Sequence, residues 1–339
     1  MKKTALITGV SGQDGAYLAE LLLSKNYKVV GADRRSARDD KWRLRELGIE
    51  NKIIIEDFEL SEINNIIRLF NKYKFDEVYN LAAQSFVGTS FSNPILTSDV
   101  TGLGVLRILE VIKNLKKKPK FYQASSSEMF GDVLETPQKI NTPFNPVSPY
   151  ANAKLFAHFS TTNYRKAYGI YAVSGICFNH ESPLRGEEFI TRKITSGLAK
   201  IKYGKLSCLE VGNIDAKRDW GYAKDFVKAM WLGLQAKKPR DYVIATGKTH
   251  TVRNFINEAL KHFDFETYWV GKNENEKLKL KKNNKTIIKI NKKFYRPNEV
   301  HKLLGNSNET RKILKWKPSV SFKELVKIMS LADLKKYEN

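Results

Sequence analysis

The sequence predicts an α/β protein: a Rossmann-type, doubly wound parallel sheet with a smaller C-terminal α/β substrate-binding domain. Three observations carry this. Strand-like and helix-like segments alternate through the first half of the chain, a glycine-rich turn joins the first strand to the first helix, and the alternation becomes irregular after about Ile170. Strands that alternate with helices must be linked by right-handed crossovers, which lays them parallel with helices on both faces.

Taken in order, Thr4 to Ile7 is a short apolar run of β character, and Ala16 to Ser24 carries helical periodicity. Lys28 to Ala32 reads as a second strand and Lys52 to Ile55 as a third, followed by a helix over Ile63 to Tyr73. Glu77 to Ala82 is the fourth strand, Val105 to Leu115 an amphipathic helix, and Lys120 to Ala124 the fifth strand. Beyond these, Tyr171 to Cys177 reads as a core strand, Ile190 to Tyr203 as a helix, and Leu206 to Gly212 and Tyr242 to Thr246 as short strands. Asn273 to Lys293 is polar and lysine-rich and reads as a surface excursion, with low complexity from Leu278 to Lys293. Phe322 to Leu331 closes the chain as an amphipathic helix. The expected division is a dinucleotide-binding domain over residues 1–175 and a substrate domain over 176–339, with some of the latter's segments returning to the first.

The composition narrows the function classes. A chain of 339 residues with an ordinary apolar fraction buries a full core, so disorder is excluded as a general reading. No apolar run approaches the roughly 20 residues that span a bilayer. The apolar stretch Ala5 to Val10 runs into a glycine turn with no small-residue cleavage site, so no signal peptide is expected. Cys177 and Cys208 are expected to be reduced, in a soluble cytoplasmic protein. The net charge of +23 suits anionic ligands and solvated faces. Its lysine runs, at Lys116 to Lys118 and between Lys277 and Lys293, lack regularly interleaved aromatics, so no nucleic acid is expected. The five histidines are scattered without ligand spacing, so no metal is expected.

The glycine turn is Gly9-Val10-Ser11-Gly12-Gln13-Asp14-Gly15, spaced G-x-x-G-x-x-G between a strand and a helix. Glycines let the backbone approach a pyrophosphate closely, and the helix start presents free N–H groups and a positive dipole end. At the end of the second strand, Asp33 suggests NAD, whereas Arg34 and Arg35 offer the bidentate contacts that suit the 2′-phosphate of NADP. The arginine pair favours NADP. Asp57 and Phe58, ending the third strand, are expected to flank the adenine.

Tyr150 and Lys154 form Y-x-x-x-K after Ser148-Pro149, and residues four apart share a helix face. A phenol of pKa about 10 must have its anion favoured by roughly 4 kcal/mol to act as a base near neutrality. A neighbouring ammonium and a nicotinamide cation are the natural sources. Upstream, Gln123 to Gly131 includes Ser126 and Glu128 just after the fifth strand, at the sheet edge where open α/β folds bind ligands. A hydroxyl and a carboxylate two residues apart suit acid–base chemistry on a sugar.

These residues resemble the extended short-chain dehydrogenase/reductase group. Further segments resemble its GDP-mannose 4,6-dehydratase branch from one end of the chain to the other: Tyr79 to Ser85, Phe178 to Pro183 with Arg185-Gly186, Thr191 to Ile194, Gly212-Asn213, Lys217 to Gly221, Val243 to Gly247 and Tyr295 to Val300. The resemblance implies conversion of GDP-mannose to GDP-4-keto-6-deoxy-mannose, with NADP regenerated in each cycle. Tyr150 would take the carbon-4 hydroxyl proton, and Lys154 would tune it and hold the ribose. Glu128 would remove the carbon-5 proton and help water leave carbon 6, with Ser126 assisting. Leu81, Ala83, Ser85, His180 and Arg185 would belong to the cofactor site. Ser85, Asn179, Lys193, Arg218, Arg296 and Glu299 would hold the GDP-sugar.

Two departures from the family pattern stand out. Ser126 replaces the usual threonine, keeping the hydroxyl but losing the β-methyl that restricts its rotamers. The stretch from Ser36 to Leu47, which in relatives reaches a neighbouring subunit's cofactor, is different and shorter. A homodimer through the helices that include Val105 to Leu115 and Tyr150 to Tyr168 is therefore expected, with a homotetramer left open. The residues also leave open a dehydratase, reductase or epimerase acting on a related nucleotide sugar. Glu128 weighs against a reductase, which needs no carbon-5 base.

Overall fold

The computed structural model describes residues 2–37, 39–295, 298, 300 and 302–338. Its first half winds as expected. Strands β1 (Thr4–Thr8), β2 (Lys28–Asp33), β3 (Ile54–Asp57), β4 (Glu77–Asn80), β5 (Lys120–Ser126) and β6 (Ala172–Cys177) alternate with helices. The helices are α1 (Gln13–Ser24), α2 (Trp42–Glu46), α3 (Ile63–Lys72), α4 (Val87–Ser92), α5 (Pro94–Ser98), α6 (Gly104–Lys113) and α7 (Pro149–Tyr168). The second half holds β7 (Asn179–Glu181), α8 (Ile190–Lys202), β8 (Leu209–Val211), β9 (Lys217–Arg218), β10 (Trp220–Tyr222), α9 (Ala223–Gln235), β11 (Asp241–Ile244), β12 (His250–Thr251) and α10 (Val252–Leu260). It ends with β13 (Thr267–Val270), β14 (Lys277–Leu280), β15 (Thr286–Ile290), α11 (Asn308–Leu314) and α12 (Phe322–Glu338).

Seven strands form one sheet in the order β11-β6-β5-β4-β1-β2-β3, with every pairing parallel. The chain leaves β1 in both directions across the sheet, so strand ends diverge there and open a crevice at the carboxyl edge. Leu6, Ala32, Val78, Phe121 and Ala172 pack one face against α3 and α6, and Ala5, Ile7, Tyr79, Tyr122 and Val173 pack the other against α1 and α9. Burial on both faces explains why these strands read as continuous apolar runs.

The second half builds a smaller core in which α8, α10 and α12 cover a four-stranded sheet ordered β13-β14-β15-β8. The expectation of a surface excursion over 273–293 is corrected here. That stretch contains β14 and β15, with Leu278, Leu280, Ile287 and Ile288 buried. Lysine alternates with leucine in β14, so one face is solvated and the other buried. Each such apolar side chain contributes about 1.5–3 kcal/mol on burial. The second half of the chain returns to the main sheet through β11, which pairs with β6, while β10 and β7 pair as a separate two-stranded sheet.

Two local features aim side chains at the crevice. Helix α7 starts at Ser148, whose hydroxyl accepts from the Ala151 N–H (3.1 Å), with Pro149 in its first turn, so Tyr150 and Lys154 lie in its first two turns. After β5, the backbone makes a short 3₁₀ turn over Ser127–Phe130 and leaves it at Gly131, φ 54° and ψ −120°. A Cβ on Gly131 would lie 1.8 Å from the Asn145 carbonyl oxygen, so only glycine closes the turn that carries Glu128.

Candidate active site

The glycine turn fits a dinucleotide. Gly9 has φ +71°, and a Cβ there would meet Ala82 at 2.9 Å. A Cβ on Gly15 would lie 2.3 Å from the Gly9 carbonyl. Gly12 caps α1 without any side-chain hydrogen bond, so the first N–H groups of the helix remain available to an anion.

Behind that helix start, Asp14 and His180 pair (2.7 Å), joining residues far apart in sequence. The other ring nitrogen of His180 meets the Phe178 carbonyl (2.7 Å). Both nitrogens thus face acceptors, which requires a proton on each. Burial opposes the imidazolium, but Asp14 outweighs it and holds the His180 pKa above its usual value, while burial resists and His180 lowers that of Asp14. Gln13 locks the arrangement by donating to the His180 carbonyl (3.1 Å) and accepting from Ser182 (2.7 Å).

Ser126, Glu128, Tyr150 and Lys154 line one wall at the carboxyl ends of β5 and β6. The Ser126 oxygen accepts from the Glu128 N–H (3.2 Å), and its hydroxyl lies close enough to the Tyr150 phenol to favour the phenolate. Lys154 donates to the Ala124 carbonyl (2.8 Å), its ammonium 5.8 Å from the centre of the Tyr150 ring. The protein alone pushes the Tyr150 phenol up: burial dominates, the Ser126 hydrogen bond opposes it, and Glu128 adds to the rise. The expected lowering by lysine is not supplied by the protein's own groups.

Burial brings Lys154 down to about 8, with Cys177 and Asp14 opposing. Unfolded, the lysine keeps its proton up to 10.5; folded, it releases it near 8. Between these values the unfolded chain binds more protons, so raising pH favours the folded state by up to about 1.4 kcal/mol per pH unit. The stability of wild type minus that of Lys154→Met, from urea unfolding without added nucleotide, is expected to rise across that window. A flat difference would contradict the burial of an ionisable Lys154.

These groups open into one cleft of about 840 Å³. Gly9, Gly12, Gln13, Asp14 and Gly15 stand at one end, Leu81, Ala83 and Ser85 along one side, and Asn179, His180, Arg185, Lys193 and Arg218 along the other. Asn179 Oδ1 is buried with no hydrogen-bond partner among the described residues. The Lys193 ammonium lies 3.3 Å from the centre of the Phe294 ring, and burial lowers its pKa against the pull of Glu210.

A sequence profile of the family described as GDP-mannose 4,6 dehydratase matches residues 6–329. The chain belongs to the GDP-mannose 4,6-dehydratase family. The GDP-mannose 4,6 dehydratase of Cricetulus griseus is 48% identical over 341 residues, covering 98% of this chain and 92% of that protein. Solved structures extend the likeness at the level of fold. The dTDP-glucose 4,6-dehydratase of Bacillus anthracis, in complex with NAD, superposes with a TM-score of 0.81 at 18% identity, covering 99% of this chain and 98% of that one. RMD of Pseudomonas aeruginosa, complexed with NADPH, gives 0.77 at 21% identity over 98% of this chain and 100% of that one.

Within this member of the GDP-mannose 4,6-dehydratase family, not every expected residue reaches the cleft. Ser11 packs behind the glycine turn, and Arg34, Arg35 and Asp57 are exposed outside the cleft lining. The Phe58 side chain is buried in the core beside Leu60 and Ile66, the strand end turning the ring inward. Arg296 and Glu299 lie outside the described residues. The sequence reading missed an aromatic wall, in which Phe86 meets Phe189 edge-on at 5.7 Å and Arg185 stacks on Phe189 at 3.6 Å. The signal available was Phe86 directly after Ser85 and Phe189 three residues after Gly186. Among the described residues no cluster could hold a metal ion, and both cysteines are free.

Proposed function

We propose that this chain is an NADP-dependent GDP-mannose 4,6-dehydratase, a hydro-lyase that yields GDP-4-keto-6-deoxy-mannose. The observation that carries this is the linked wall of Tyr150, Ser126 and Glu128, with Lys154 beneath, at the mouth of a cleft that begins at the glycine turn. Two hydroxyls and a carboxylate on one wall are what proton transfers at adjacent sugar carbons require.

A nicotinamide held by the glycine turn and Lys154 would supply a hydride acceptor for carbon 4 and a hydride donor for carbon 6. Relatives of the same fold solved with NADPH and with NAD support a nicotinamide nucleotide, and the arginines beyond β2 favour NADP. Tyr150 receives the carbon-4 hydroxyl proton, with the phenolate favoured by the charge that a bound cofactor would bring, and Lys154 orients the ribose. Ser126 passes a hydrogen bond between the phenol and the carbon-4 oxygen. Once carbon 4 is a ketone, the carbon-5 proton is acidic. Glu128 removes it and protonates the departing carbon-6 hydroxyl, so water leaves and a double bond forms between carbons 5 and 6. As hydride adds at carbon 6, carbon 5 takes up a proton that replaces the one Tyr150 received, and both groups return to their starting states. Asn179 offers its unpartnered oxygen to the GDP-sugar, Lys193 and Arg218 supply cations for the diphosphate, and Arg296 and Glu299 join them on the resemblance.

The partner beyond substrate is a second copy of the chain. Ile95, Leu103, Phe156 and Phe159 leave large apolar side chains exposed around α5 and α7, a face that a homodimer would cover. No helix among the described residues is long and apolar enough to cross a membrane. With two free cysteines, this suits a cytoplasmic enzyme.

The test is incubation with GDP-mannose and substoichiometric NADP, with products identified by NMR across a panel of GDP-sugars. A dehydratase accumulates the 4-keto-6-deoxy product with no net NADPH change. Stoichiometric consumption of NADPH, or turnover of a different nucleotide sugar only, would refute the assignment.

A further inference from the structure

Phe86 and Phe189 come from opposite sides of the cleft. Phe86 follows Ser85 and leads into α4, whereas Phe189 leads into α8, a few residues after Arg185. Both line the cleft, and their rings meet edge-on with centroids 5.7 Å apart, so the pair bridges the two walls. The Arg185 guanidinium stacks on Phe189 at 3.6 Å and is held by Glu181 (3.3 Å). The charge of Arg185 reaches both the Asp14 carboxyl and the Tyr150 phenol. The ring pair therefore stands over the stretch between the glycine turn and the wall that carries Ser126 and Glu128.

The two rings are held unequally. Helix α8 has 13 residues, is largely buried, and is fixed to α12 by the Arg192–Asp333 pair (2.7 Å). Helix α4 has six residues, of which only Val87 and Ser90 are buried. The Phe86 ring lies over Gly88, where a Cβ would come within 3.0 Å of it. A short helix with little buried surface opens locally at low cost, and a long buried one does not. Phe86 is thus the leaf that moves, and Phe189 is the stop on which it closes.

The reaction gives such a closure a task. After water leaves, the double bond between carbons 5 and 6 is conjugated with the carbon-4 ketone, and hydride must reach carbon 6 first. Water adding there instead puts hydroxyl on carbon 6 and hydrogen on carbon 5, which reverses the elimination. Escape of either reactant strands one reduced nicotinamide for each 4-keto sugar left unreduced. An apolar roof excludes water and offers no competing nucleophile or proton donor.

We infer that Phe86 and Phe189 close over the reacting sugar as a gate, keeping water out and the reduced cofactor in until hydride returns to carbon 6. They are positioning residues, which move no proton and act on the fate of the unsaturated ketone. The inference rests on the dehydratase reading above.

The test counts failed cycles. The full chain is incubated with GDP-mannose and NADP+ in large excess over enzyme, and free NADPH is measured against 4-keto-6-deoxy product. Wild type is expected to lose NADPH in about one turnover per hundred or fewer. Phe86→Ala and Phe189→Ala are expected to raise that ratio by about tenfold or more, and to release prebound NADPH about tenfold faster in stopped flow. Phe86→Leu, which keeps apolar bulk, should fall in between. A merely structural role would slow product formation and leave the ratio unchanged, and that result would overturn the inference. Absence of the 4-keto-6-deoxy product from wild type would fail the dehydratase reading itself, whereas product formed with a ratio untouched by the variants fails the gate alone. Should the variants not fold, hydrogen–deuterium exchange on the wild-type protein decides the matter. With NADP+ and GDP bound, the amides of residues 86–90 should exchange about tenfold slower than in the free protein, and unchanged exchange there would overturn the inference.

Discussion

Tyr150→Phe is expected to reduce turnover of GDP-mannose by about 10²–10⁴-fold or more while leaving NADP binding within about threefold of wild type. The phenol is buried on α7 beside Ser126. Removing its oxygen takes away the proton acceptor for the carbon-4 hydroxyl and little packing. The turn that grips the pyrophosphate lies on α1 and is untouched. Steady-state rates with calorimetric NADP binding check both halves, and wild-type-like turnover would refute the role. Because burial pushes this phenol up, the depression it needs as a base must come from charge that arrives with the ligands. The rate is therefore expected to depend on pH through the ternary complex rather than through the free protein.

Glu128→Gln is expected to separate the two halves of the reaction. The amide keeps the size of the side chain, and the Glu128 N–H still donates to Ser126, so the wall keeps its shape. An amide cannot take the carbon-5 proton, so elimination should slow by about 10²–10⁴-fold while oxidation at carbon 4 changes far less. In single turnovers this appears as reduced nicotinamide that accumulates and persists. In D₂O, incorporation of solvent deuterium at carbon 5 should collapse. Unchanged incorporation would assign that proton transfer to another group.

The part of the fold that was legible from sequence is the part governed by local pattern. Parallel strands buried on both faces produce apolar runs that stand out, and the glycine turn announces β1 and α1 because a Cβ at Gly15 would collide with Gly9. The chemistry on α7 was legible because Tyr150 and Lys154 are one helical turn apart. What escaped reading depends on distance along the chain or on the face a residue takes. Lys277-Leu278-Lys279-Leu280 is a half-buried strand, but nearby lysines and asparagines gave the segment the composition of a loop. Phe58 follows a strand end, and its position in sequence does not say whether the ring turns to the cleft or to the core. The Asp14–His180 pair spans 166 positions and joins two segments whose separate motifs suggested a shared site without suggesting a bond.

The most direct measurement follows one hydrogen. GDP-mannose carrying deuterium at carbon 4 is incubated with the enzyme and NADP, and the product is examined by NMR and mass spectrometry. A wall that oxidises carbon 4, eliminates water across carbons 5 and 6 and holds the nicotinamide in place throughout predicts the label at carbon 6 of the same molecule. Label missing from carbon 6, or recovered in free NADPH, would contradict the account.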